Sequence, residues 1–501
     1  MKKHHKAPLP AALVVLVALC GCSDGASDKD LTHPFLAKSS WPIIHHSPAQ
    51  EASSPLAGPD GAAAGLVVDF LGSVQGPASV LFDSQGSLYV MGVDFFEKKH
   101  IFMKLAAGSL EQMDAIEMSI ASPLEGLYSF VDFEDCWWNG HTQVIMRLCS
   151  RGETLVQDMS FNLLELYPGL MNEDDSIIGL MPLYESPGMI DIAFVTTGLK
   201  PVHEGGEFTK IVVGAKVGLL RVAEGGESEL VVNTYEDENI SNNSALDPDG
   251  NLYVLTNRRA LKLRVEGSGD GTRLAEAWSK PYESGDPIPS FPCDDETLID
   301  VCELLARQAD VKFADGSGTT PTLFGDNLQY IAFTDGSRPL TLVVLRTQDG
   351  SSVAIDAPHP FSGPESQTEN TITASGNRFA LESNSTKGAA AYRLSGGDVE
   401  ERAELVWVNE DIFAPNGVPL ISAESNALYL YEMQGDSPWS DETEWFVTAL
   451  DLDTGELLWR QLIGAGLDYN SVYAPLCIDH RRRMYIGLYG GLLRLMDRAV
   501  E

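Results

Sequence analysis

Ser244-Ala245-Leu246-Asp247-Pro248-Asp249-Gly250-Asn251-Leu252-Tyr253-Val254 is the stretch that decides the fold. A short apolar run enters an Asp-x-x-Gly turn and leaves it as a strand of Leu, Tyr and Val. Asp and Gly supply the turn that a tight hairpin demands. The period of two on either side marks two antiparallel strands with one buried face. The phrase also occurs as Ser79-Val80-Leu81-Phe82-Asp83-Ser84-Gln85-Gly86-Ser87-Leu88-Tyr89-Val90. Drifted copies run from Pro419 to Leu430 and from Ala474 to Ile486.

Working outward, a third strand follows several of these hairpins: Ile101 to Leu105, Ala260 to Arg264, and Leu492 to Leu495. Inner strand, turn, middle strand and a further strand make a propeller blade. Such units, stacked around an axis, bury faces that none could bury alone. The expected class is all-β, a single β-propeller over 66–501. Roughly 430 residues at ~50–60 per blade give about seven or eight four-stranded blades. A helical solenoid would need a 3.6-residue period in each unit, which is absent. Only Glu296 to Gln308 suggests a short helix.

Ala449-Leu450-Asp451-Leu452-Asp453-Thr454-Gly455-Glu456-Leu457-Leu458-Trp459 resembles the A-x-D-x-x-T-G-x-x-x-W blade motif of the quinoprotein-dehydrogenase-like (PQQ-like) propellers. The resemblance implies that the turn Gly and the Trp lock neighbouring blades together. The motif is complete once, and no two cysteines are adjacent. It therefore supports the fold and not the redox activity of that family.

The N-terminus says where the chain is expected to reside. Lys2, Lys3 and Lys6 precede an apolar run from Ala11 to Leu19 that ends in Leu19-Cys20-Gly21-Cys22, the order of a secretory signal. The run is shorter than the ~20 residues of a membrane span. Its ending resembles a bacterial lipobox, which implies cleavage after residue 21, a lipid on Cys22 and a membrane anchor outside the cytosol. Ser23 follows the cysteine in place of the Asp that resembles an inner-membrane retention signal, so the outer membrane is expected. Residues 28–64 are rich in Ser, Pro, Ala and Gly, so 22–65 reads as a flexible tether. The pair His45-His46 reads as incidental to it.

Acidic residues outnumber basic ones 72 to 34, for a net charge of −38. That field repels nucleic acid and anionic surfaces and favours cations and cationic partners. With Cys20 and Cys22 set aside, Cys136 pairs naturally with Cys149 and Cys293 with Cys302, as suits an oxidising compartment. Cys477, within Pro475-Leu476-Cys477-Ile478, reads as a buried thiol. No C-x-x-C occurs, so zinc ribbons and thioredoxin-like chemistry have no support.

Candidate ligand-binding residues lie just before inner strands, where the mouth of a channel would be. They are Thr319, Thr320 and Thr322, then Glu369 and Asn370, then Asn242 and Asn243, with Asn239 nearby. Glu369 and Asn370 offer hard oxygens suited to Ca2+, and propeller lactonases and related hydrolases are similar in holding calcium with such residues. Polar loops between blades read the same way without any ligand. There is no G-x-S-x-G, H-E-x-x-H, Walker loop or EF-hand spacing. Asp247-Pro248-Asp249-Gly250 starts like a calcium loop but lacks its closing Glu. Arg481-Arg482-Arg483 reads as a solvated cluster. Trp137-Trp138 and Trp439 with Trp445 read either as a rim patch or as interblade packing.

The expectation is a non-enzymatic, membrane-anchored propeller lipoprotein that binds a ligand or scaffolds proteins through its channel face. The alternative is a calcium-dependent propeller hydrolase or a degenerate quinoprotein-like oxidoreductase. A third possibility resembles the propeller lipoproteins that help insert outer-membrane barrels.

Overall fold

The computed structural model describes residues 33–498 except 62–64, 73–75, 95–96, 98, 120–124, 184–188, 224–226, 286–289, 294–301, 303–313, 397–400 and 472. The signal segment, Cys22 and nearly all of the expected 296–308 helix lie outside the described residues.

Among the described residues the strands form eight blade sheets. Seven cover 77–119, 130–162, 177–235, 245–281, 322–346, 373–409 and 420–465. The eighth joins Cys477–Ile478, Met484–Leu488 and Gly491–Asp497, and Leu66–Leu71 adds to Gly491–Asp497 as its outer strand. The first strand of the ring thus closes onto the last, which leaves the ring no open seam. The fifth blade departs from the four-strand expectation. It has three strands, and its continuation, Ala354–Ile355, crosses to the outer edge of the sixth blade. The third blade extrudes a hairpin, Leu199–Glu204 with Glu207–Val212, which pairs with Phe291–Pro292 as a separate small sheet.

The recurring Asp is a clasp. Asp83 Oδ1 accepts the amides of Gln85 and Ser87, and its Oδ2 lies 3.0 Å from Lys104 Nζ on the third strand. Asp247 accepts the amides of Asp249 and Asn251 and the Tyr253 hydroxyl. Asp479 accepts the amides of Arg481 and Arg483 and the Tyr485 hydroxyl. In the second blade Asp132 does the same for Glu134, Cys136 and Trp138 Nε1, and pairs with Arg147 at 2.7 Å. The fourth residue of each turn, Gly86, Asp135, Gly250 or Arg482, sits at φ between 60° and 80°. Arg482 therefore fills a glycine slot and donates to Gly58 O and Asp60, while Arg483 pairs with Asp479. Arg481 and Arg482 stay exposed, as the solvated reading expects, and only Arg483 is half-buried.

Interblade docking is more frequent than the single complete motif implied. Gly455 leaves room for Trp407 of the preceding blade, whose Nε1 donates to Leu452 O. Gly350 does the same for Trp278, whose Nε1 donates to Thr347 O. Trp459 packs on Gly61 and Tyr429. Trp137, Trp138 and Trp445 are fully buried, so they form no rim patch. The disulfides Cys136–Cys149 and Cys293–Cys302 are both formed, and Cys477 is a buried free thiol.

The tether expectation is corrected over its described part. Residues 33–54 are not a solvated linker; Trp41 and Ile43 are fully buried. The segment lines the inside of the ring. Inner-strand amides of six blades, all but the third and the eighth, donate to it in chain order: Phe82 to Trp41 O, Val131 to Pro42 O, Leu246 to Pro48 O, Leu323 to Ala49 O, Ala374 to Glu51 O and Ile421 to Ala52 O. It then continues as Ser53–Ser54, parallel to Leu420–Ser422. His45, His46, Gln50 and Ala52 take positive φ, which lets the chain curl tightly enough to visit six blades. Such strain persists only where surrounding contacts over-determine the backbone.

Candidate functional site

The loops that lead from each outer strand to the next inner strand meet around a cavity of about 400 Å3. Tyr128 reaches it from just before Phe130–Val131, Asn242 from before Ala245–Leu246, Glu369 to Thr371 from before Thr373–Ser375, and Tyr473 from before Cys477–Ile478. His45, from the internal N-terminal segment, also lines it. Leu127, Ile178, Val418 and Pro475 supply apolar wall, and Glu125, Glu173, Asp174 and Asp175 supply acid.

A polar relay crosses the site. Tyr128 donates to Asn242 Oδ1, Asn242 donates to Gly318 O, and Thr320 donates to the Tyr128 oxygen at 3.3 Å. The His45 ring stands edge-on to Tyr128 at 5.7 Å, and its nitrogens lie within 3.5 Å of Thr371 Oγ1. Burial lowers the His45 pKa to about 3 and raises that of Tyr128 to about 12. Both are therefore neutral at pH 7, and they present hydrogen-bonding edges rather than charges. Glu369 accepts Ala314 N at 2.7 Å and the Tyr473 hydroxyl at 3.5 Å. Lys200 pairs with Asp174 at 2.8 Å, and Lys216 pairs with Asp175.

Behind the wall, Asn370 donates to Glu382 Oε1 at 2.8 Å and to Gly417 O at 3.1 Å, and Thr368 donates to the same carboxylate oxygen. Burial without a cationic partner pushes the Glu382 pKa up to about 7. Asn370 Oδ1 and Glu382 Oε2 find no hydrogen-bond donor among the described residues.

Four of the residues expected from sequence, Asn242, Thr320, Glu369 and Asn370, come together here. Three do not. Thr319 accepts Thr334 N, Thr322 donates to Ile372 O, and Asn243 donates to Leu180 O of the neighbouring blade. Those contacts brace strands. Sequence reasoning missed Tyr128, His45, Tyr473 and Glu382. The apolar run Trp41-Pro42-Ile43-Ile44 beside His45 was the available signal that this segment is buried.

No family model matches the chain. An uncharacterized protein of Archaeoglobus fulgidus is 24% identical over 300 residues, and the chain spans about half the length of that curated relative, 52%. Among solved structures, the quinohemoprotein alcohol dehydrogenase of Comamonas testosteroni is similar with a TM-score of 0.52 at 11% identity, covering 92% of this chain and 82% of that one. A europium-containing methanol dehydrogenase is similar with a TM-score of 0.52 at 12% identity, covering 91% and 90%. The chain thus has a PQQ-like β-propeller fold. A carboxylate-bearing quinone does not fit its cavity: five carboxylates line it against Lys200 and Lys210, and His45 is neutral.

Proposed function

We propose that this protein is a lipid-anchored, extracytoplasmic β-propeller that binds a small polar ligand, neutral or cationic, in the cavity at one end of its internally lined ring. The convergence of Tyr128, Asn242, Glu369 and the buried His45 on one cavity of about 400 Å3 carries this reading. The size suits a small molecule, and a mostly apolar wall with a few convergent polar groups is the usual make-up of a binding site. The acidic lining and the net charge of −38 disfavour anions. Cleavage after residue 21 and lipidation of Cys22 would place the site outside the cytosol, in agreement with the two disulfides.

A thermal-shift screen with amino acids, polyamines and sugars, followed by calorimetry, tests the proposal. A ligand at ~100 times its dissociation constant adds about 2.7 kcal/mol. The shift should vanish in Tyr128→Phe or Glu369→Gln. If no compound of these classes shifts the melt, or the variants shift equally, the reading is wrong. Globomycin-sensitive processing and palmitate labelling lost in Cys22→Ser test the anchor.

One observation favours a second reading, a calcium-stabilised site. The two donor-less oxygens on Asn370 and Glu382 are hard ligands of the right type. Melts in Ca2+ and in chelator separate the cases: a calcium-dependent rise lost in Glu382→Gln supports the ion, and identical melts remove it.

A further inference from the structure

The hairpin extruded from the third blade carries a second set of ligating side chains, apart from the cavity's carboxylates. His203 Nε2 lies 2.9 Å from Cys302 Sγ, and ligand atoms of His203, Cys293 and Cys302 all fall within 4.8 Å of one another. His203 comes from the hairpin's first strand, and Cys293 directly follows Phe291–Pro292, the strand that pairs with its second. Phe208 and Phe291 pack around the two sulfurs. Cys302 is fully buried and Cys293 is 7% exposed.

We propose that Cys293, Cys302 and His203 form a redox-gated site for a soft divalent ion of the zinc class. Oxidised, the two sulfurs are bonded to each other and bind nothing. Reduced, they join the imidazole as a Cys2His set, with a fourth position left to water. Two thiolates and an imidazole match Zn2+ in softness and number. The sulfurs need only part to about 3.8 Å, the separation that ~2.3 Å Zn–S bonds impose in a tetrahedron.

The electron balance is simple. A trialkylphosphine gives two electrons to the S–S bond; water supplies oxygen to the phosphine oxide and one proton to each sulfur. Metal binding then releases those two protons as the thiolates coordinate, while His203 binds as the neutral ring. Among the described residues the Cys136–Cys149 bridge stands in no such cluster of ligating side chains. The hairpin that carries His203 also supplies Lys200 and Lys210 to the cavity lining, so the site sits on the element that walls the proposed ligand pocket.

The test is a Co2+ titration of the full chain before and after phosphine reduction, read in the thiolate-to-cobalt charge-transfer band and the visible d–d bands. The expected result is one tetrahedral Co2+ per chain in reduced protein only, displaced by Zn2+. Affinity should fall by more than about tenfold in His203→Ala, which loses a ligand, and the charge-transfer band should be lost when Cys293→Ser and Cys302→Ser are combined. Far-ultraviolet circular dichroism confirms that each variant keeps its strands. The absence of a thiolate band after reduction overturns the site, as does an equal titration in oxidised protein or in His203→Ala. Both readouts are independent of whether the cavity binds a small ligand.

Discussion

The ring and the segment that lines it are buried for opposite reasons. Each blade strand satisfies its backbone by pairing with its neighbour in the same sheet, as Leu88–Asp94 does with Lys99–Leu105. Strands in the middle of a blade, such as Leu88–Asp94, are then buried on both faces and read as apolar runs bounded by turn residues. Residues 41–52 form no regular strand; they turn on themselves through bonds such as His46 N to Ile43 O and Ala52 N to His45 O. Their carbonyls take one amide from each of six inner strands, so consecutive side chains face no common surface and no period appears. A sequence pattern needs a regular element as well as burial.

Trp41→Ala probes the difference most strongly. The side chain is fully buried against the core that holds Phe82 and Leu81, and its loss should cost about 3–5 kcal/mol in chemical denaturation. Trp439→Ala, in a partly exposed loop, should cost about 1 kcal/mol. Equal effects would mean that the segment is loosely held and the comparison fails.

A clasp variant tests the ring itself. Asp83→Ala leaves Lys104 buried without its carboxylate and should cost about 3 kcal/mol, part of it recovered when Lys104→Met is added. A cost confined to the single variant, seen by urea unfolding, would assign the clasp to charge pairing rather than packing.

Ring and segment should also respond oppositely to pH. The Glu382 pKa is raised from 4.5 to about 7 in the fold, so its contribution is fully present below pH 4.5 and is lost as pH rises through 7. Glu382→Gln should therefore gain about 3 kcal/mol over the native chain at pH 8 and little at pH 4. His45 is lowered from 6.5 to about 3 and His33 to about 4. Their contribution is present above pH 6.5 and is lost as pH falls towards 3. Melts across pH 3–9 should show His45→Gln flattening the acid limb and Glu382→Gln flattening the neutral one. The same limb moving in both variants would contradict the assignment.

The smallest effect isolates backbone conformation. Gly250 sits at φ +80° with open space around a would-be Cβ, so Gly250→Ala should cost about 1 kcal/mol with no clash. Asn426, at φ 49° in the corresponding turn of the seventh blade, should accept Gly without comparable loss.

Legibility followed the same divide at the site. Asn242, Glu369 and Asn370 were readable because they stand in polar stretches directly before inner strands, and a propeller sends such stretches to one end of the ring. Tyr128 was not, since nothing in Leu127-Tyr128-Ser129 differs from a core strand. Glu382 was hidden at the end of a strand, where a Glu usually marks a solvent edge, while the fold places it 1% exposed beneath Asn370. The docking pairs were half-legible. Trp278 and Gly350, like Trp407 and Gly455, are contributed by different blades, so the sequence alone does not show which Trp meets which Gly.

By itself the sequence determined the turns, the pairing of neighbouring strands, the all-β class and the two disulfides, because each depends on residues close together in the chain. Tertiary structure alone decided that residues 33–54 run inside the ring, that His45 and Tyr128 share a cavity, and that His203 meets Cys302. Those outcomes depend on which blades close around an axis, and the partners they join include Thr373 and Ala52, 321 residues apart. No local pattern encodes a contact that exists only once the ring is closed.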